Sequence, residues 1–359
     1  MTCNCFPGTY FSPAKFVFLF IGDGMGKNQA HAPELYGETV DFIHFPVKGL
    51  ISTHDYNFNV TDSAAAGTAL ASGKKTIYGS LNINNALDPT VKFTTIAEYA
   101  HGAGMKVGIL TTVTLTHATP AAFYGKSLDR WSGDNLADQL IHSGFDYFAG
   151  GNIVENNMHS DNFLGLAQEA GYLVVRSRDA FEDLFSASGK VIAIPPSNEL
   201  HHEGSLFYEI DRDPYNHEHW TLSDITRKGI EVLHNPDGFF MMIESGKIDW
   251  ACHNNDLERA IGEVIALDQA IMRALEFAAE YPDDTLIVVT ADHETGGMVI
   301  ESNSIHFTSS SHTGVPVPVY AFGKNASFFH GNYDNTDIFY RLARAMKLHV
   351  QCTCTYTGH

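Results

Sequence analysis

The stretch Lys15-Phe16-Val17-Phe18-Leu19-Phe20-Ile21-Gly22-Asp23-Gly24 decides the fold. Its apolar run is too short for an ordinary helix, shows no polar alternation, and leads straight to an aspartate between glycines. Such a run reads as a strand buried on both faces, the kind found inside parallel sheets. Two later runs have the same form. Phe239-Phe240-Met241-Met242-Ile243 ends on Glu244, and Thr285-Leu286-Ile287-Val288-Val289-Thr290 leads to Asp292 and His293. In open α/β sheets, ligands gather beyond the carboxyl ends of the strands. Asp23, Glu244, Asp292 and His293 therefore meet in one crevice, where unpaired carboxylates repel unless cations neutralise them. The pattern predicts a site for more than one metal ion.

A length of 359 residues with 44% hydrophobic content supplies a sizeable core, and no low-complexity linker divides the chain. It is read as one α/β domain over 1–359, with 151–220 a variable lid or loop region. No stretch is long enough to span a bilayer, and the apolar run after Lys15 is too short for a signal-peptide core. The chain is therefore read as soluble as it stands, either cytoplasmic or exported with its signal removed. The net charge of −20 argues against a nucleic-acid backbone or an anionic membrane as main partner. An anionic substrate then needs a local cationic site, which divalent ions supply. Cys3 and Cys5 at one end and Cys352 and Cys354 at the other leave open a staple, a four-thiolate zinc site or two reactive tails.

Other segments fill in the crevice. The turn with Gly22, Gly24 and Gly26 lacks the spacing of a dinucleotide fingerprint. In 61–73, alanines favour a helix that Thr61 or Asp62 caps, which puts Ser63 in the first turn, where free amides and the macrodipole favour an ionised oxygen or a bound anion. Gly73-Lys74-Lys75 lacks the spacing of a phosphate loop. Residues 94–104 read as a helix and 106–112 as a buried strand, followed by His117 and Thr119. By itself His117 is more often a satisfied polar side chain than a ligand, and its place at a strand's carboxyl end brings the two readings level. His201, His202, His217 and His219 read as a solvated loop or lid more readily than as another metal site. Helical periodicity resumes at 222–233. Asp249 and His253, four apart, share a helix face and together suit zinc. Residues 257–279 form an amphipathic packing helix. For both Asp292 and His293 to reach a metal the backbone must turn, as Gly296 and Gly297 permit. The run 315–322 after His312 carries two prolines, which predicts an edge or irregular strand.

Assembled in order, the motifs are Asp62-Ser63-Ala64-Ala65-Ala66-Gly67-Thr68-Ala69, His117-Ala118-Thr119-Pro120, Glu244 with Asp249-Trp250 and His253, Thr290-Ala291-Asp292-His293-Glu294-Thr295-Gly296, and His312-Thr313-Gly314. This set resembles the alkaline phosphatase family. The resemblance implies a three-layer α/β/α sandwich with a central, mostly parallel sheet. It also implies hydrolysis of small phosphate monoesters at alkaline pH through a phosphoserine on Ser63, with Arg130 gripping phosphate. Two Zn2+ ions are implied, one at Asp249, His253 and His312 and one at Asp23, Asp292 and His293, together with one Mg2+ at Asp23, Thr119 and Glu244. His117 and Trp250 match a set seen in cold-adapted bacterial relatives, which predicts looser phosphate retention. His312 follows His293 by only nineteen positions. There is no room for the large crown insertion of many members, so the chain is expected as a monomer or as a homodimer through another surface. A periplasmic or extracellular setting is implied, with the cytoplasm as the alternative. The rival functions are a phosphodiesterase or sulfatase of the same superfamily and a catalytically silent metal-binding protein.

Overall fold

The computed structural model describes residues 11–153, 160–201, 204–213, 215–216, 218–302 and 304–350. The terminal cysteine pairs, His202 and His217 lie outside the described residues. The first strands in chain order are β1 (Phe16–Gly22), β2 (Val47–Ser52), β3 (Lys106–Thr114), β4 (Tyr147–Gly151), β5 (Leu173–Val175), β6 (Val191–Ala193) and β7 (Phe239–Ser245). They are followed by β8 (Thr285–Thr290), β9 (Glu294–Thr295), β10 (Met298–Glu301), β11 (Ser304–Phe307), β12 (His312–Thr313), β13 (Val317–Gly323) and β14 (Gly331–Asp334). Ten of them form one sheet in the order β14-β2-β13-β8-β1-β7-β3-β4-β6-β5.

The centre of that sheet is parallel. β1 pairs with β8 on one side and β7 on the other, and β7 pairs with β3, all in the same direction. Every residue of β1, β7 and β8 is buried, because helical layers cover both faces. Helices Leu222–Leu233 and Leu257–Glu280 pack on each other and against the central strands, while Ser63–Ser72, Ile96–Gly102 and Thr336–Met346 form a second packed group. The three-layer expectation therefore holds. Between His293 and His312 the described residues build only short pairings, a β10–β11 hairpin and a β9–β12 ladder, and no crown.

One expectation fails. The proline-bearing strand β13 is not an edge: it runs antiparallel between β8 and β2. Its ladder with β8 covers Tyr320 to Gly323 only, so Pro318 lies beyond the stretch where β8 asks for a backbone N–H. The Pro318 carbonyl instead accepts from Thr290 Oγ1 at 3.0 Å. The true edges are β14 and β5, and β5 and β6 show that part of 151–220 completes the sheet.

Candidate active site

Four neighbouring parallel strands end on one rim. Asp23 follows β1, Glu244 is the penultimate residue of β7, Asp292 and His293 follow β8, and His117 and Thr119 follow β3. Register makes the convergence strict, since Glu244 stands level with Ile21 on one side and Thr111 on the other. β12 pairs His312 with Thr295 of β9, which returns a distant histidine to the same rim. Gly296 and Gly297 hold φ of 88° and 56°, the left-handed turn that lets the chain leave β9 toward the hairpin. The short helix Lys247–His253 then sets Asp249 and His253 on one face.

Three groups of side chains bring possible ligand atoms within 4.8 Å of one another: Asp249, His253 and His312; Asp23, Asp292 and His293; and Asp23, His117 and Glu244. In the first, Nδ1 of His253 lies 2.7 Å from the Ser310 carbonyl and Nδ1 of His312 lies 2.8 Å from that of Thr61. A carbonyl only accepts, so both rings donate Nδ1–H there and turn Nε2 inward. The two Nε2 atoms end 3.1 Å apart, and they stand 3.3 and 3.6 Å from the Asp249 carboxylate. In the second group, His293 Nε2 lies 3.2 Å from Asp292 and 3.5 Å from Asp23. Thr119 Oγ1 donates to Asp23 at 3.4 Å, which joins the second group to the third.

The donor set fits cations. Asp23 Oδ1, Asp292 Oδ2 and Glu244 Oε1 are buried without a hydrogen-bond partner, a costly arrangement for any carboxylate that is not ligating. Burial, reinforced by neighbouring carboxylates, raises Asp292 to about 8 and pushes Asp23 well above its usual range. Burial also raises Glu244 to about 7, against hydrogen bonds from Thr111 and Thr119 that favour the anion. His253 rises to about 9, chiefly through its hydrogen bond with Asp249, whereas burial and the nearby His312 hold His293 neutral. Groups this reluctant to ionise alone give up their protons to a cation, as expected of a metal-binding set.

Ser63 opens the helix Ser63–Ser72. Its Oγ lies 3.3 Å from His293 Nε2. Of the two residues expected to cap this helix, Asp62 does so, accepting from Ala65 N at 3.0 Å. Its other oxygen takes Arg130 Nη1 at 3.0 Å and Gly79 N at 3.1 Å. Arg130 is thereby held beside Ser63, with Nη2 3.5 Å from His117 Nε2. Burial and the Arg130 charge lower His117 to about 3, so it faces the guanidinium uncharged. The Trp250 ring meets the His117 ring edge-on at 6.1 Å. Every site residue expected from sequence thus lies in one crevice.

Three contributors were missed. Thr295 Oγ1 donates to Asp249 at 2.5 Å and lies 3.3 Å from His293 Nδ1, bridging the first two groups. Thr111 Oγ1 donates to Glu244 at 2.5 Å. Asp62 holds Arg130 as well as capping its helix. Asp62 and Thr295 stand inside recognised motifs, but a hydroxyl or an N-cap carries no periodic signal of its own. The histidine-rich stretch forms no metal group among the described residues: His219 stacks on Phe207, and His201 packs edge-on to Phe207 and Tyr208.

A family model described as alkaline phosphatase matches residues 14–311 and 301–348. Alkaline phosphatase 4 of Bacillus subtilis is 33% identical over 304 residues, a match covering 80% of this chain and 63% of that protein. The alkaline phosphatase of Escherichia coli K12 is 28% identical over 417 residues, covering 94% and 87%. Among solved structures, the alkaline phosphatase of the Antarctic bacterium TAB5 superposes with a TM-score of 0.82 at 28% identity, covering 94% of this chain and 98% of that one. A cold-active alkaline phosphatase from Shewanella gives 0.81 at 26%, covering 92% and 99%. With family model, curated relatives and fold in agreement over most of its length, the chain belongs to the alkaline phosphatase family.

Proposed function

We propose that the chain is a metal-dependent phosphomonoesterase that works at alkaline pH through a phosphoserine on Ser63. The observation that carries this reading is Ser63 Oγ, 3.3 Å from His293 Nε2, at the amide end of a helix and beside three orphaned carboxylate oxygens. Asp249, His253 and His312 would hold one zinc, Asp23, Asp292 and His293 a second, and Asp23, Thr119 and Glu244 a magnesium. A variant of the Antarctic enzyme, 26% identical, has been solved with magnesium in the site called M3, which supports a third ion. Bound ions would supply Lewis-acid neutralisation at the nucleophilic and leaving oxygens.

The chain's own groups do the rest. The first-turn amides of the helix Ser63–Ser72 favour the ionised Ser63 oxygen and the incoming anion. Arg130, fixed by Asp62, offers two N–H groups to the non-bridging phosphate oxygens. Ser63 Oγ bonds to phosphorus as the ester oxygen departs with the alcohol, and water then cleaves the phosphoserine to release phosphate. Alkaline working pH is supported by membership of the alkaline phosphatase family.

We read 1–359 as one catalytic unit, supported by a single sheet drawing strands from Phe16 to Asp334. For 151–220 we keep the reading of a variable region, with β5 and β6 in the sheet and Leu206 tied to the helix bearing Asp249 by Lys247 Nζ, which donates to its carbonyl at 2.7 Å. No helix among the described residues is long and apolar enough to cross a membrane. The family resemblance favours a periplasmic or extracellular setting.

Rates on 4-nitrophenyl phosphate and on its methyl diester, with and without chelation, test the function. The monoester should be the faster substrate, chelation should abolish turnover, and Ser63→Ala should lower kcat by on the order of 10⁴-fold. A faster diester, or an active Ser63→Ala, overturns it.

A further inference from the structure

Two large aromatic side chains stand in the open beside the phosphate grip, and the reaction as described uses neither. Trp131, 64% exposed, follows Arg130, and Tyr78, 66% exposed, precedes Gly79. The two segments run side by side in opposite directions. Leu81 and Ser127 form an antiparallel bridge, and further along Arg130 N donates to the Gly79 carbonyl at 2.8 Å. Gly79 N and Arg130 Nη1 both donate to the same oxygen of Asp62, the residue next to Ser63. The backbone that fixes the arginine therefore carries an exposed aromatic residue next in chain on each of the two segments.

Trp131 also shares a small crevice with Thr116, His117, Ala118, Arg130 and Gly133, so it belongs to the wall of the site. The Arg130 guanidinium lies over its ring at 5.0 Å. Exposed rings of this size remove apolar surface from water only when something covers them. A phosphate held by Arg130 projects its ester group outward, because Ser63 and the carboxylates close the inner side. What reaches the rings is the leaving group.

We propose that Trp131 and Tyr78 form a stacking platform for the leaving group, so that the preferred substrates are phosphate monoesters carrying a flat aromatic ring. The proposal rests on the phosphomonoesterase reading above. Two chemistries present such a ring: aryl phosphates, with the ring on the ester oxygen, and nucleoside 5′-monophosphates, with the ring beyond a sugar. Stacking on a π-face tolerates many ring types, so the selection acts on flatness rather than on a hydrogen-bond pattern.

The test measures kcat/KM of the metal-loaded full chain on phenyl phosphate, adenosine 5′-monophosphate and glycerol 3-phosphate. It compares wild type, Trp131→Ala, Trp131→Phe and Tyr78→Ala, with the inhibition constant of inorganic phosphate for each. Comparing each substrate with itself across variants cancels differences in leaving-group acidity. The planar-to-aliphatic ratio should fall about tenfold in Trp131→Ala, mostly through KM, and return in Trp131→Phe. A loss confined to phenyl phosphate assigns the platform to aryl esters, and one confined to the nucleotide assigns it to nucleosides. Equal losses on all three substrates with weakened phosphate inhibition would mean that Trp131 merely steadies Arg130, and would overturn the platform. An unchanged ratio overturns it too. A wild-type protein that hydrolyses none of the three overturns both this reading and the one beneath it.

Discussion

In the proposed reaction, His117 is the side chain that tunes how Arg130 grips phosphate. It lies 3.5 Å from Arg130 and also belongs to the group with Asp23 and Glu244, yet burial and the arginine keep it neutral. Among the described residues the guanidinium therefore has one anionic partner beside it, Asp62. A carboxylate at position 117 would add a charge-assisted contact and a further anionic ligand for the ion at Glu244. His117→Asp should lower the inhibition constant of phosphate about fivefold and slow turnover where product release limits it. Steady-state inhibition with and without added magnesium measures this, and a constant that does not move removes His117 as the source of loose retention.

Elements deliver the site, and their legibility in the sequence followed their burial. β1, β7 and β8 are buried on both faces and so announce themselves as unbroken apolar runs, each with its ligand at the end. β2 and β14 left no such trace. They lie at the margin, mostly half-buried, with sequences Val47-Lys48-Gly49-Leu50-Ile51-Ser52 and Gly331-Asn332-Tyr333-Asp334 that carry no apolar run. That gap explains the misplacement of β13, since its prolines suggested an edge only while the strands outside it were unseen. The helix Ser63–Ser72 was legible for a different reason, its small residues. A Cβ on Gly67 would sit 2.9 Å from the Ala122 Cβ, so the helix Ser63–Ser72 rests directly against the segment that carries His117 and Thr119. Gly67→Val should force these two apart. We expect a loss of about 1–3 kcal/mol in urea unfolding of the metal-loaded protein, with a lower kcat because Ser63 and Thr119 shift together. Wild-type stability and turnover in that variant would show that the close approach is not needed.

For the whole molecule, the buried acids tie stability to pH, and bound ions remove that tie. In the ion-free protein Asp292 is raised from 3.8 to about 8 and Glu244 from 4.5 to about 7. The folded state then binds protons that the unfolded chain has released, so its stability falls as pH rises through those windows. His253, raised from 6.5 to about 9, acts in the same direction, its contribution present below 6.5 and lost as pH climbs through 9. Asp249 is held below its ordinary 3.8 because the contact with His253 and the neighbouring imidazoles outweigh burial, so its contribution is lost only in stronger acid. Ions cancel the trend, because the loaded fold, like the unfolded chain, carries these acids deprotonated. If loading one ion releases two protons, its apparent affinity gains about a hundredfold per pH unit, equivalent to about 2.7 kcal/mol of stability. The difference in Tm between zinc- and magnesium-loaded protein and chelated protein should therefore widen steadily from pH 5.5 to 8.5, with the chelated curve falling. Calorimetry across that range, together with protons counted on adding zinc to weakly buffered ion-free protein, measures both halves. A constant gap with no proton release would mean that the orphaned oxygens of Asp23, Asp292 and Glu244 are not where the ions bind.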